Sequence, residues 1–255
     1  MADPGLTQRI KEMALTDWDM VGIAPSVRLE GAPEGRRPSD ILPTARSVIV
    51  GLIHVLDSVC DDLPYSRYEY TNQFFVLNSI LNSRAMRISR LLEEEGYRAL
   101  PIPAAYPRIN KLPAGVLSHR HAAVAAGLGE FGLNNMLTTE RYGSRVRLIT
   151  IVTEADLVAD EPCQTSLCHD YRSSCGLACV RSCPTNSISV DGVVDKLKCL
   201  HYQEQIMPWS AAELRCGMCV ASCPIGKRAF REPAHPERRS ATVTESKSFW
   251  TGAKW

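Results

Sequence analysis

The chain has 255 residues, 45% of them hydrophobic, enough to bury a sizeable core as one large domain or as a core with a smaller module. Its formal charge of +1 offers no basic stripe for a nucleic-acid backbone, and no run approaches the roughly 18 apolar residues that a membrane span needs. The opening stretch MADPGLTQRIKEMALTDWDM has neither a hydrophobic leader core nor a twin-arginine pair, so a cytoplasmic protein is expected.

In chain order, Leu6, Ile10 and Met13 recur at helical spacing. MVGIAPS and SVIVGLIHVL are short apolar runs with β-branched residues and read as strands. TNQFFVLNSILNSRAMRISRLLEEEGY carries Phe74, Leu77, Leu81, Ile88 and Leu91 along one helical face and stops at Gly96. YRALPIP reads as a strand, Ser118 as the cap of a helix through HRHAAVAAG, and RVRLITIVT as a further strand. That order predicts an α/β (α+β) domain with one main sheet over residues 1–160. From residue 161 the pattern gives way to cysteines, prolines and short loops, which predicts a metal-dependent module over 161–230; residues 231–255 read as a polar C-terminal tail.

Ten cysteines in a chain with no secretory signal point to metal binding rather than to disulfides. Eight fall into two runs that each end in Cys-Pro: Cys168, Cys175, Cys179 and Cys183 before Pro184, then Cys199, Cys216, Cys219 and Cys223 before Pro224. A structural zinc site pairs two C-x2-C knuckles and has no use for a further Cys-Pro four residues on. A ferredoxin run gives three thiolates to one cubane and its last to the other. Cys168, Cys175, Cys179 and Cys223 are therefore expected around one 4Fe-4S cluster, and Cys183, Cys199, Cys216 and Cys219 around a second. The x6 and x3 spacings of the first run require a wider loop, and Cys163 is an alternative to Cys168 there. Cys60 reads as a small buried hydrophobe.

Between the strands and the cysteines lies SHRHAAVAAGLGEFGLNNMLTTERYGSRVRL. Its Gly127, Gly129 and Gly132 follow a helix, whereas a dinucleotide fingerprint follows a strand and opens a helix, so NAD binding is disfavoured; tight packing at a helix–turn junction is the plain alternative. AGLGEFGLNNMLTTERYGSRVRL, the two Cys-Pro runs, and the upstream DMVGIAPS, ILPTARSVIVGLIHV and EEGYRALPIPA together resemble the cobalamin-dependent iron–sulfur reductases, namely epoxyqueuosine reductases and reductive dehalogenases. The likeness covers nearly residues 5–225. It implies a nitroreductase-like core that holds base-off cobalamin beside a ferredoxin-like double 4Fe-4S module. It also implies that Ser118, His121, Gly127, Gly129, Gly132, Asn134, Asn135 and Met136, with His201 and Tyr202, line the corrinoid site. None of the six histidines lies in the D-x-H-x-x-G context of histidine-ligated corrinoid proteins, which agrees with base-off binding.

Two departures shape the expected chemistry. Epoxyqueuosine reductases carry a helical-repeat extension that grips tRNA, and this chain has only a short tail after Cys223, so a minimal form is expected, with a small-molecule substrate and no nucleic-acid partner. Those enzymes also place an acid in a D-T-G-P stretch where this chain reads KLPAGVL, with Pro113 near that position. Another proton donor is needed, and Tyr106 at the end of ALPIPAAY is the first candidate, followed by Tyr70 and His119. Electrons would come from an external low-potential donor, a ferredoxin or flavodoxin. The expected activity is reductive cleavage or deoxygenation. The alternatives are an iron–sulfur electron-transfer protein without its own corrinoid, a reductive activator of a corrinoid partner, and a zinc-stabilised binding module.

Overall fold

A computed structural model describes residues 2–105, 115–206 and 215–227. Helix α1 (Pro4–Ala14) is started by Asp3, whose carboxylate accepts the Leu6 amide at 2.9 Å, while Pro4 sits where a helix has no use for an N–H. Strands β1 (Met20–Pro25) and β2 (Ser47–His54) are joined through a 3-10 turn at Ser26–Leu29 and the short α2 (Pro38–Ile41). After α3 (Asp57–Asp61), the long α4 (Arg67–Glu94) leads into β3 (Ala99–Ile102). Helix α5 (His119–Ala125) leads into the hairpin of β4 (Glu130–Phe131) and β5 (Leu137–Thr138), and β6 (Val146–Thr153) follows. The cysteine-rich part holds the short helices α6 (Leu167–Asp170), α7 (Arg172–Cys175) and α8 (Ala178–Arg181), then α9 (Lys196–Gln205) and α10 (Met218–Ala221).

Strands β1, β2, β6 and β3, in that order, form one antiparallel sheet. Both faces are covered, which is why β2 reads as an unbroken apolar run rather than an alternating one. Ile49 and Ile53 meet Ile149, Ile151, Leu81, Ile88 and Ile10 in a core beneath α1 and α4. Val48, Val50 and Leu52 meet Leu148, Val152, Ala122 and Ala123 in a second core beneath α5. The register sets Ile49 opposite Ile151 and Val48 opposite Val152, so a slip of one residue would exchange the two sets.

The mixed α/β architecture with one main sheet agrees with the sequence reading. Ser118 caps α5 through its side chain, and Gly96 ends α4 in the left-handed region at φ +86°, both as expected. Helix α4 begins earlier than its apolar stripe predicts, at Arg67. No described helix is long and apolar enough to cross a membrane.

Candidate active site

A cavity of about 750 Å³ opens between the sheet and the cysteine-rich part, within the range of cofactor clefts. Its walls come from the loop after the 3-10 turn, the start of α5, the β4–β5 turn, the first half of β6 and one face of α9. Leu29, Ile102, Leu117, Leu148 and Leu200 supply apolar surface; Asn134, Asn135 and Gln203 supply amides. Ser144 also lines it, and its Oγ is buried with no hydrogen-bond partner among the described residues.

The charges in this wall have one sign. Arg28, Arg36, Arg120, Arg147, Lys196 and Arg215 line the cavity, and no Asp or Glu does among the described residues. Two of these cations stand over the Phe74 ring, the Arg147 guanidinium at 4.1 Å and that of Arg215 at 4.3 Å. Burial, with Arg215 alongside, lowers the Arg147 pKa to about 10 against the opposing pull of Tyr70. Such a wall favours an anionic ligand.

Of the predicted site residues, Ser118, His119, His121, Asn134, Asn135 and Met136 do line the cavity. His119 is not placed to donate a proton. The Pro103 carbonyl, 3.0 Å from Nε2, can only accept, so Nε2 carries the proton and Nδ1 accepts from the Thr150 hydroxyl at 2.8 Å. Burial, with Arg147 adding to it, pushes its pKa down to about 4, and the ring is a locked neutral wall group. Tyr70 is not among the described lining residues. Its ring packs on Gly217 and against the Val55, Cys60 and Val220 cluster, and burial, reinforced by nearby thiols, raises its pKa. Tyr106 lies outside the described residues.

Gly127 and Gly129 are not described as lining the cavity; the reason for glycine is close packing. A Cβ at Gly127 would stand 2.1 Å from the Glu161 carbonyl oxygen, and one at Gly129 2.3 Å from that of Thr138, both at positive φ. Gly132 borders the cysteine pocket instead. His201 and Tyr202 lie on α9, but that helix presents Lys196, Cys199, Leu200 and Gln203 to the cavity, and His201 Nε2 is engaged with Gln205 at 2.8 Å. Lys196, Cys199, Leu200 and Gln203 recur at helical spacing along one side of α9, and His201 lies off that stripe.

The cysteines gather as two groups of four. Cys168, Cys175, Cys179 and Cys223 wall a small cavity of about 30 Å³ together with Gly132, Leu133 and Asn134. Burial, and the nearby thiols of Cys168, Cys223 and Cys175, push Cys179 up to about 11. In the second group, burial raises Cys219, with Cys216, Cys199 and Cys183 adding to it. Cys179 of the first group also acts on Cys219, so the two groups adjoin. For Cys183 burial is outweighed by hydrogen bonds from Thr185 and from the Ser187 amide, and its pKa falls. Cys163 does not line the first pocket; its sulfur is 2.9 Å from Thr165 Oγ1. Among the described residues no three His, Cys, Asp or Glu side chains converge tightly enough for a single metal ion.

The β4–β5 turn ties the cysteines to the cavity. Glu130 accepts the Cys168 amide at 2.7 Å, the Leu133 amide donates to Cys168 Sγ at 3.2 Å, and Asn134 Nδ2 donates to the Cys219 carbonyl at 3.2 Å. Asn134 lines both cavities, and Cys199 reaches the wall of the large one. Sequence reasoning missed Arg145 and Arg147, although two arginines two apart in an otherwise apolar strand were the available signal. Arg145, fully buried, pairs with Asp57 and Asp61 on α3 and donates to the Ala221 carbonyl on α10 at 2.9 Å.

No family model matches the chain. The epoxyqueuosine reductase of Gloeobacter violaceus is 30% identical over 236 residues, covering 85% of this chain and 68% of that one. The chain belongs to the epoxyqueuosine reductase family. It is accordingly an oxidoreductase. An epoxyqueuosine reductase solved with an epoxyqueuosine-modified tRNA-Tyr stem loop has the same fold, with a TM-score of 0.58 at 18% identity over 90% of this chain and 67% of that one. A reductive dehalogenase described as acting by B12-dependent dehalogenation superposes with a TM-score of 0.62 at 22% identity over 94% of this chain and 34% of that one.

These family relations correct the partner expected from sequence. A small-molecule substrate with no nucleic acid does not agree with relatives named for epoxyqueuosine, one of them held on a tRNA stem loop. The near-neutral net charge misled because it is a sum over the whole chain. Six of the 29 Lys and Arg residues share one wall that no described Asp or Glu lines.

Proposed function

We propose that this chain is a cobalamin-dependent iron–sulfur reductase that acts on epoxyqueuosine in tRNA. In this reading residues 1–160 form a nitroreductase-like core for base-off cobalamin and residues 161–230 a ferredoxin-like module with two 4Fe-4S clusters. The observation that carries the reading is the meeting of three features at one place: a large cavity with a cationic wall, Cys199 in that wall, and the pocket of Cys168, Cys175, Cys179 and Cys223 sharing Asn134 with it.

The donors present fit these groups. Four soft thiols per group suit an iron–sulfur cubane, and the amide from Leu133 to Cys168 and that from Ser187 to Cys183 are the kind of hydrogen bond that tunes cluster potential. Asn134, Asn135, Gln203 and the unsatisfied Ser144 hydroxyl offer partners for corrin amides, and the apolar surfaces suit the macrocycle. When bound, the corrinoid supplies the reducing metal centre for C–O cleavage, fed one electron at a time through the clusters by a ferredoxin- or flavodoxin-type donor. The protein's own contribution is to hold the ligand against a dry wall, to present cations to phosphate, and to deliver protons. His119, with both nitrogens engaged, has no free lone pair to offer a metal.

The test is anaerobic reconstitution with iron, sulfide and cobalamin, removal of free cofactor, and electron paramagnetic resonance of the one-electron-reduced corrinoid. The expected spectrum is of the base-off type without nitrogen superhyperfine splitting. Nitrogen splitting would exclude base-off binding. Intact clusters with no retained corrinoid would replace the reductase reading by an electron carrier.

A further inference from the structure

Reducing an epoxide by two electrons takes up two protons, whether the product is an alcohol or an alkene and water. The cavity wall must therefore hold a proton donor, and among its described residues there is no Asp, Glu or Tyr. His119 is locked by Thr150 and Pro103, Cys199 belongs to the second cysteine group, and Ser144 has no described partner to reload it. Lys196 at the start of α9 also lines the wall and is one of the cations assigned to phosphate; Ser118 and His121 remain, and they are linked.

Ser118 caps α5, where its Oγ accepts the His121 backbone amide at 3.5 Å, and the same Oγ stands 2.7 Å from His121 Nδ1. Both residues line the cavity, and His121 is exposed, with its ring against Phe131 at 4.7 Å. A hydroxyl oxygen that accepts both the backbone N–H and an Nδ1–H has its own proton left to point elsewhere.

We propose, resting on the reductase reading above, that Ser118 and His121 form a proton relay from solvent to the substrate oxygen. As a C–O bond of the epoxide breaks and two electrons enter from the low-potential donor, the Ser118 hydroxyl gives its proton to the departing oxygen. Nδ1–H of His121 replaces that proton on Oγ, and Nε2 takes one up from solvent. A second passage supplies the second proton after the ring re-equilibrates with solvent. Ser118 is the catalytic residue and His121 the group that reloads it. Partial burial, with Arg120 on its own helix and Lys196 on α9 adding to it, lowers the ring's pKa.

Two measurements test the relay separately from the substrate assignment. In the protein as isolated, long-range proton–nitrogen spectra, with the signal assigned by its loss in His121→Gln, should show His121 as the Nδ1–H tautomer. An Nε2–H tautomer with a bare Nδ1 would overturn the proposal whatever the substrate. With the reconstituted holoenzyme and the epoxyqueuosine-modified tRNA-Tyr stem loop, Ser118→Asn and His121→Gln should each lower kcat on the order of 100-fold with KM, iron and corrinoid content kept. Ser118→Asn retains a capping oxygen, so loss of fold does not confuse the result, and Ser118→Thr should restore turnover. A kcat within about threefold of the parent in both variants overturns the relay. If the parent itself does not reduce the stem loop, the substrate assignment fails and the tautomer alone decides.

Discussion

Cys60 and Cys219 share a side chain and a neighbourhood and have opposite prospects. Both pack in the cluster of Val55 and Val220, and burial is the main cause that raises each pKa, that of Cys60 to about 12. Cys219 has Cys216, Cys199 and Cys183 around it; no second thiol is among the groups that act on Cys60, which faces Arg145, Asp57, Asp61 and Lys227. Crowded thiols resist ionisation, and in the proposed reading iron would neutralise them and couple cluster loading to folding there. Cys219→Ser should reduce iron from about eight to about four atoms per chain on anaerobic purification. Cys60→Ser should leave iron content unchanged, and Cys60 should resist alkylation at pH 7 in the native protein. Equal iron loss in both variants would contradict the two-group assignment.

At the level of elements, Arg145 joins three of them. It sits just before β6, its guanidinium pairs with Asp57 and Asp61 on α3, and it reaches the last residue of α10. Close backbone contact reinforces the same junction, since a Cβ at Gly143 would stand 1.9 Å from the Ile225 carbonyl oxygen. Removing the cation takes from the buried Asp57 its closest positive partner, while Asp61 keeps Lys227 at 2.8 Å. Arg145→Met should therefore cost about 3–5 kcal/mol of stability, read as a lower urea midpoint. A change of less than about 1 kcal/mol would mean that the junction is held by packing alone.

The whole molecule carries almost no net charge, yet a cavity of about 750 Å³ is walled by six cations. Binding of a tRNA stem loop should accordingly weaken steeply with salt, by roughly 0.7–0.9 in log K per log unit of salt for each phosphate contacted. Arg36→Ala should lower that slope by about 1. Binding that ignores salt would remove the nucleic-acid part of the proposed function, while leaving the two cysteine groups and the corrinoid cavity to be judged on metal and cofactor content.

By itself the sequence determined the local elements and marked the cysteines. Apolar periodicity marked β2, β6 and α4, Ser118 and Gly96 marked helix ends, and crossed pairing of the two Cys-Pro runs put together Cys168, Cys175, Cys179 and Cys223, the four that the fold sets around one small cavity. What surrounds a side chain was decided only by tertiary structure. His119, His121 and His201 carry the same imidazole, and Tyr202 stands beside the last of them in sequence. Packing ties both nitrogens of His119, links His121 to Ser118 and turns the other two off the cavity-facing side of α9. The cationic wall was hidden for the same reason: its residues, from Arg28 to Arg215, lie far apart along the chain, and only the fold sums their charges at one place.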